Sequence, residues 1–245
     1  MPLQIVIPMA GRGARFNASG FEIPKPFLKV AAGKLMIDLV IQYLTPKQPH
    51  RFIFVCRKDH ATAFGLNDFF ARRVKHFKIV TTDRVTRGPA CTALLAGRHI
   101  NDRHPLLIAY CDDYLDIFLD DFLDAWKARE ADGGMLIYPS TDPANSYAVC
   151  GRQGLVSKTA EKKRLSRWAT AGLYFFRQGG FFVQAARKMV RKEASVKEEY
   201  FVCPVYNEMI ANGHKVIAFK IPGRANQPMG TPRALARFIR AYRPS

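Results

Sequence analysis

Short apolar runs alternate along this chain with stretches whose apolar residues recur at helical spacing. Gln4 to Pro8 reads as a buried strand that runs straight into a glycine-bearing loop. Leu35 to Leu44 has the spacing of a helix, and Phe52 to Cys56 is a second apolar strand. The pattern then predicts a helix over about 61–73, a strand over 78–81, a helix over about 90–100 and a strand over 106–109. A helix over 119–131 and a strand over 134–138 follow. Strands alternating with helices of about a dozen residues imply βαβ crossovers and a mainly parallel sheet covered on both faces. From Tyr147 the pattern changes. Tyr147 to Cys150, the turn Gly151-Arg152-Gln153-Gly154, and Leu155 to Lys158 read as a hairpin, so antiparallel strands join the sheet there. Helices over about 181–191, 204–212 and 232–242 finish the chain. With no linker, repeat or low-complexity tract, the expectation is one α/β domain over 1–245 with an insertion-like β region. Its fold class is a Rossmann-like mixed, mainly parallel sheet sandwiched by helices.

Composition narrows the setting more than the chemistry. At 245 residues with 48% hydrophobic and 24% charged residues, the chain is an ordinary globular one. The first residues lack the long apolar run and cleavage site of a secretory signal. No apolar stretch reaches the roughly 20 residues of a membrane helix. Five cysteines, Cys56, Cys91, Cys111, Cys150 and Cys203, are widely spaced, with no C-x-x-C. A reduced, cytoplasmic chain with buried structural thiols is expected.

The charge is less ordinary. Thirty-eight Lys and Arg against twenty Asp and Glu leave a net +18, more than a small anionic substrate requires. Arg72-Arg73-Val74-Lys75 and the arginines of the last helix, Arg233, Arg237, Arg240 and Arg243, could meet a polyanion. No nucleic-acid module signature accompanies them, so no specific nucleic acid is expected as a partner.

The loop after the first strand carries the candidate chemistry. In Met9-Ala10-Gly11-Arg12-Gly13-Ala14-Arg15, position 16 is Phe, so a dinucleotide G-x-G-x-x-G fails. Gly33-Lys34-Leu35 lacks the hydroxyl of a P-loop. What remains is a run of small residues that lets backbone approach a ligand, its N–H groups free to face phosphate oxygens. Arg15 offers a planar fork for paired phosphate oxygens. Lys25, between Pro24 and Pro26, is a point charge on a restricted backbone. Taken alone, a G-x-G near a strand end is as well explained as a tight turn.

G-x-G-x-R after a first strand followed by P-K-P resembles the opening signature of the sugar-phosphate nucleotidylyltransferases. Further matches fall in that family's order. Gly88-Pro89-Ala90-Cys91-Thr92-Ala93 resembles its turn beside the nucleobase, and Leu107 to Asp112 its apolar strand ending in N-G-D. Ser146 to Val149 resembles its Y-G-V strand. Ala160 to Lys163, then Ala169 to Phe175, resemble E-K-P followed by N-A-G-I-Y. Each motif is weak alone, and five in register are specific. The wording of Glu161-Lys162-Lys163, Tyr200 to Glu208 and Met229 to Pro232 is most similar to a branch associated with capsule and lipopolysaccharide loci. That branch includes cytidylyltransferases acting on phosphorylated small molecules such as phosphoglutamine.

The resemblance implies attack by an acceptor phosphate on the α-phosphorus of a nucleoside triphosphate, with release of pyrophosphate. CTP is favoured, and UTP or dTTP remain open. It implies a nucleotide-binding part over about 1–135 and an acceptor-binding part over about 136–245. Met9, Ala10, Gly11, Arg12, Gly13, Gly88, Pro89 and Ala90 would hold the nucleotide. Arg15 would hold the leaving pyrophosphate, Lys25 would lie against the α-phosphate, and Asp112 would hold Mg²⁺. Glu161, Lys162, Tyr147, Gly172 and Glu199 would bind the acceptor, a sugar phosphate or another phosphorylated small molecule. A homodimer is compatible with this family.

Two positions depart from the family pattern. Where many members write D-x-G-T and supply a second metal carboxylate, this chain has Pro228-Met229-Gly230-Thr231. Either Asp112 holds the metal with triphosphate oxygens and water, or Asp113, Glu199 or Glu208 assists. Cys203-Pro204 replaces a T-D, which leaves a non-sugar acceptor open. A nucleotide-binding protein without turnover and a glycosyltransferase of similar fold are the alternatives; the adjacent acids of Tyr110-Cys111-Asp112-Asp113-Tyr114 are not the D-x-D of the latter. Without the family match, Lys25 would read as a surface-turn residue, Asp113 or Asp116 as a helix cap, and Glu161 with Lys162 as a solvated pair.

Overall fold

A computed structural model describes residues 1–31 and 33–242. Arg243, the last of the arginines singled out on the C-terminal helix, lies outside the described residues. The strands in chain order are β1 (Leu3–Pro8), β2 (Lys29–Ala31), β3 (Lys34–Leu35), β4 (His50–Arg57), β5 (Phe77–Thr82), β6 (Leu106–Ala109) and β7 (Asp113–Leu115). They continue with β8 (Gly133–Pro139), β9 (Ser146–Cys150), β10 (Val156–Glu161), β11 (Trp168–Phe176), β12 (Val216–Lys220) and β13 (Asn226–Pro228). Nine of the described strands form one sheet in the order β10-β9-β11-β6-β1-β4-β5, with β8 pairing β11 and β12 pairing β8. β1 runs parallel to β4 and β6, and β5 parallel to β4. β11 enters antiparallel to β6, β8 and β9. Two small ribbons stand off the sheet, β2 with β3 and β7 with β13.

The central strands are buried on both faces, as a parallel sheet under helices requires. Leu3, Ile5 and Ile7 of β1, Phe52 and Phe54 of β4, and Leu107 and Ala109 of β6 feed one core. Their alternate neighbours Val6, Ile53, Val55, Leu106 and Ile108 feed the other. Helices Met36–Tyr43 and Leu119–Ala128 close the first core, and helices Pro89–Leu94, Gly179–Arg191 and Val205–Ala211 close the second. A third, smaller cluster joins Phe16, Leu28, Val30 and Met36 to Leu235 and Phe238 of the helix Pro232–Ala241. This last cluster fastens the loop after β1 to the end of the chain. The Thr231 hydroxyl starts that helix by accepting from the Ala234 N–H at 3.1 Å.

Several elements differ from the sequence expectation. The helix expected over 61–73 is two, Lys58–Ala63 and Leu66–Ala71, broken where Gly65 turns left-handed at φ 52°. The helix expected over 90–100 is likewise two, Pro89–Leu94 and Gly97–Ile100. As expected from the hairpin, antiparallel strands join the sheet: β9 and β10 form its edge. β12 and the two ribbons were not foreseen, and the stretch from Trp168 to Phe176 proves to be a nine-residue strand. Of the five thiols, Cys56, Cys111 and Cys203 are buried as expected, whereas Cys91 and Cys150 are partly exposed. Neither Asp113 nor Asp116 caps a helix: Asp113 opens β7, and Phe118 precedes the helix Leu119–Ala128. In the basic run, Arg73 is structural, bonded to Asp38 at 2.6 Å and lying over the Phe69 ring.

Trp126 is the largest fully buried side chain, stacked on Phe175 of β11 with ring centroids 4.9 Å apart. Trp126→Ala is expected to cost about 3–5 kcal/mol, read as a lower urea midpoint at unchanged m-value.

Candidate active site

Just past β1 come Met9, whose N–H donates to the Val55 carbonyl at 2.8 Å, and Ala10, which has no exposed surface. The chain then leaves the sheet. A single turn of helix, Ala14–Asn17, buries Phe16 in the third cluster against Phe21. Burying Phe16 turns its neighbours outward, so Arg12 and Arg15 are exposed. Among the described residues, no ion pair or hydrogen bond engages either guanidinium.

The lysine between prolines sits in a 3₁₀ turn, Lys25–Phe27, anchored by Phe27 stacked on Phe64. Its Nζ donates to Asp112 Oδ2 at 2.6 Å, with side chains 24% and 20% exposed. Burial works against the lysine's charge, but Asp112, Cys111 and Asp113 together raise its pKa above the ordinary lysine range. It stays an ammonium. Asp112 lies just past the carboxyl end of β6, where α/β sheets place their ligands. Its carbonyl accepts from the Met229 N–H at 2.7 Å, and its carboxylate covers Gly230. A Cβ at position 230 would fall 2.5 Å from Asp112 Oδ2, so the carboxylate's seat requires glycine there.

Asp113 turns its carboxylate onto Gly172 of β11, which is left-handed at φ 67° and has no room for a Cβ. Burial, then the charge of Asp112, pushes the Asp113 carboxyl up to about 8, with Lys25 opposing. Tyr110 bridges onward. Its N–H donates to the Gly172 carbonyl at 3.1 Å, and its hydroxyl feels both Glu161 and Asp113.

Glu161 is 7% exposed and accepts from the Ser146 hydroxyl across the β9–β10 pair. It is not half of a solvated pair. Lys162 adopts a left-handed backbone at φ 50°. Its Nζ lies 4.3 Å over the Phe201 ring and 3.8 Å from Glu199 Oε2. Next to Glu199, Tyr200 docks on the other half of the site. Its N–H donates to the Arg87 carbonyl at 2.8 Å, its carbonyl accepts from the Ala90 N–H at 2.9 Å, and its backbone packs directly on Gly88. The turn Gly88-Pro89-Ala90 and the Lys162 ammonium are thus held by one segment.

The fold therefore joins Lys25, Asp112 and Gly172, and through Tyr110 and Tyr200 it links them to Glu161, Lys162, Glu199 and Gly88. It brings Arg12 and Arg15 into contact with none of these. The Tyr147 side chain is fully buried, its hydroxyl donating to the Asp142 carbonyl at 2.7 Å. Glu208 is taken by Lys192 at 2.9 Å and Lys188 at 3.5 Å, and so ties two helices together. Sequence reasoning gave no role to Tyr110, Ser146 or Gly230, although each lies within a quoted motif. Among the described residues, no group of three or more His, Cys, Asp or Glu is disposed around a common point. The donor set is the adjacent pair Asp112 and Asp113. It suits a hard cation that takes one or two carboxylates and fills its shell with phosphate and water.

Burial raises the Glu161 pKa above the ordinary glutamate range, with the Ser146 hydrogen bond and Lys162 opposing. The unfolded chain then gives up this proton at lower pH than the folded one, so stability falls as pH rises past the ordinary glutamate value. Glu161→Gln is expected to stabilise at neutral pH and to lose that gain in acid, as read from urea midpoints at the two conditions.

The sequence matches the family model for nucleotidyl transferases over residues 5–243. A comparison with curated protein sequences finds no match. Among solved structures, a nucleoside-diphosphate-sugar pyrophosphorylase from Vibrio cholerae is similar at 25% identity and a TM-score of 0.81, covering 96% of this chain and 99% of that one. A UDP-glucose pyrophosphorylase solved with UDP-glucose shares the fold at 16% identity and a TM-score of 0.79, covering 99% and 98%. A Bacillus anthracis chain assigned as a glucose-1-phosphate thymidylyltransferase, solved with sucrose, does so at 16% and 0.75, covering 99% and 97%. With the fold, the joined motifs and a match over nearly its whole length, the chain belongs to the nucleotidyl transferase family.

Proposed function

We propose that this enzyme transfers a nucleoside monophosphate from a nucleoside triphosphate to the phosphate of a sugar phosphate or another phosphorylated small molecule, releasing pyrophosphate. CTP is the favoured donor, and the product serves cell-surface polysaccharide synthesis in the cytoplasm. The observation that carries the reading is the Lys25–Asp112 contact at the carboxyl end of β6. It brings together two residues 87 positions apart, both drawn from motifs of the family. The choice of CTP rests on the wording of Tyr200 to Glu208 and Met229 to Pro232. The solved relatives named for UDP-glucose make UTP the comparison.

In the reaction, an acceptor phosphate oxygen forms a bond to the α-phosphorus. The bond from that phosphorus to the bridging oxygen breaks, and its electrons leave with pyrophosphate. Both partners are anions, so the protein's work is to neutralise charge and hold the oxygens in line. Lys25 is kept charged by its acidic neighbours and can exchange Asp112 for the α-phosphate as charge builds there. The outward Arg15, and Arg12 beside it, are free to take the β- and γ-phosphates. Backbone from Met9 to Gly13 and the turn Gly88-Pro89-Ala90 cradle the nucleotide over residues 1–135. In the second half of the chain, Lys162 holds the acceptor phosphate, with Glu161, Gly172 and Glu199 around its body. Asp112 would hold Mg²⁺, which would neutralise phosphate charge when bound.

Pyrophosphate release across CTP, UTP and dTTP with a panel of phosphorylated acceptors tests the reading. Turnover with at least one pair is expected. Nucleotide binding without pyrophosphate would leave a binding protein, and no binding to any nucleotide would overturn the reading. Lys25→Ala is expected to lose about 100-fold or more in kcat, the scale of removing one preorganised charge-stabilising donor. Turnover within a few-fold of wild type would remove Lys25 from the mechanism.

A further inference from the structure

The proposed reaction leaves the end of the chain without a part. From Met209 to Ser245 the sequence has no Asp or Glu and seven Lys and Arg. The helix Pro232–Ala241 lies in this stretch and divides sharply around its axis. Leu235 and Phe238, each 4% exposed, face the third cluster, and the helix packs on β2 and β13. Arg233, Ala236, Arg237, Arg240 and Ala241 are exposed on the other side, at the spacing of one helical face. These five line one shallow, open depression of about 430 Å³, with small alanine side chains between the guanidinium groups. From Arg233 to Arg240 the row runs roughly 10 Å along the axis.

Little on the protein answers this charge. Among the described residues, no ion pair or hydrogen bond engages the guanidinium of Arg233 or Arg237. β2 adds the exposed Lys29, and neither β2 nor β13 carries an acid. Glu22, on the loop that sends Phe21 into the same cluster, is exposed and offsets one of these charges. Because the apolar stripe is fastened to the body, the arginines are held outward as a row of like charges. Such a row is relieved by a surface of opposite sign.

We infer that this face docks on an anionic phospholipid bilayer, the arginine row meeting head-group phosphates. Charge complementarity selects an anionic surface, and the side chains on the face select lipid. Nucleic-acid grooves interleave their cations with aromatic rings for stacking, and none stands among these five residues. The exposed neighbour flanking the row is aliphatic instead, Ile239 at 46%, as suits a lipid interface. Among the described residues no helix is long and apolar enough to cross a membrane, so the contact is peripheral. Each basic residue near an anionic bilayer adds about fivefold to binding, and the attraction fades within a Debye length. Docking of this face requires neither nucleotide nor acceptor, so its failure leaves the proposed function standing.

The test is co-sedimentation with vesicles of phosphatidylcholine alone and of equal parts phosphatidylcholine and phosphatidylglycerol, at low ionic strength and in strong salt. Wild type is compared with Arg233→Ala/Arg237→Ala/Arg240→Ala, with the corresponding triple lysine variant, and with Arg72→Ala/Lys75→Ala/Lys78→Ala. The last removes equal charge from exposed positions elsewhere. Alanine favours the helix, and each variant is checked for an unchanged thermal unfolding transition. Wild type is expected to sediment with the anionic vesicles only, and strong salt to release it. The helix alanine triple is expected to weaken the partition about 100-fold, three residues' worth. The lysine triple keeps most of the binding, and the Arg72/Lys75/Lys78 triple stays within a few-fold of wild type. Wild type that ignores anionic vesicles, or a helix alanine triple that binds them as well as wild type, overturns the inference. Equal losses in the two alanine triples also overturn it, because they mark net charge rather than this face. Binding of a short RNA that the helix alanine triple abolishes, without vesicle binding, overturns the lipid assignment and gives the face to nucleic acid.

Discussion

One half-buried ion pair organises the site: Lys25 Nζ against Asp112 Oδ2 at 2.6 Å. Its partners are distant in sequence, and each needs a separate piece of the fold. Proline on either side of Lys25 narrows the backbone, and Phe27 pins the turn that presents the ammonium. Asp112 stands where β6 runs out of the sheet, with its carboxylate over Gly230 and its carbonyl bonded to Met229. Pairs of this exposure contribute modestly to stability and are screened by salt. The arrangement makes better sense as a stored charge. An ammonium and a carboxylate hold each other in place, and on the proposed reading they are available to a phosphate and a cation of opposite sign.

Beyond this pair the chain as a whole carries an excess of positive charge. Arg12 and Arg15 project outward without acidic partners, and the chain carries a net +18. Such a field favours approach of polyphosphates and speeds their capture. Acidic side chains are grouped instead at Asp112, Asp113 and Glu161, all at least half-buried, with Glu161 and Asp113 both near the Tyr110 hydroxyl. On the proposed reading, the exposed guanidinium groups would meet the phosphates first and the half-buried acids the accompanying cation.

Much of the architecture was legible in the residues. Ile5 to Pro8, Phe52 to Cys56 and Leu106 to Ala109 are apolar at every position because both faces are covered, and those strands were read correctly. Ala169 to Phe175 was quoted as a motif but not as a strand, since Ala169-Thr170-Ala171-Gly172 carries neither alternation nor bulk. Its strand character comes from being clasped by β6, β8 and β9. The ribbon of β7 and β13 has three residues a side and could not be found by periodicity, yet it sets where Asp113 points. Glu161 was readable as a candidate but not as a buried group, because its burial depends on pairing with Ser146 fifteen residues away. Local pattern thus gave the strands that bury both faces. The site needed long-range register, which only the folded chain supplies.

The most direct measurement is a crystal structure of the enzyme with Mg²⁺ and a CTP analogue that cannot be cleaved between its α- and β-phosphates. The account predicts that Lys25 Nζ leaves Asp112 for an α-phosphate oxygen, that Asp112 turns to the metal, and that Arg15 closes on the terminal phosphates. A nucleotide bound elsewhere, with the Lys25–Asp112 pair intact, would contradict it.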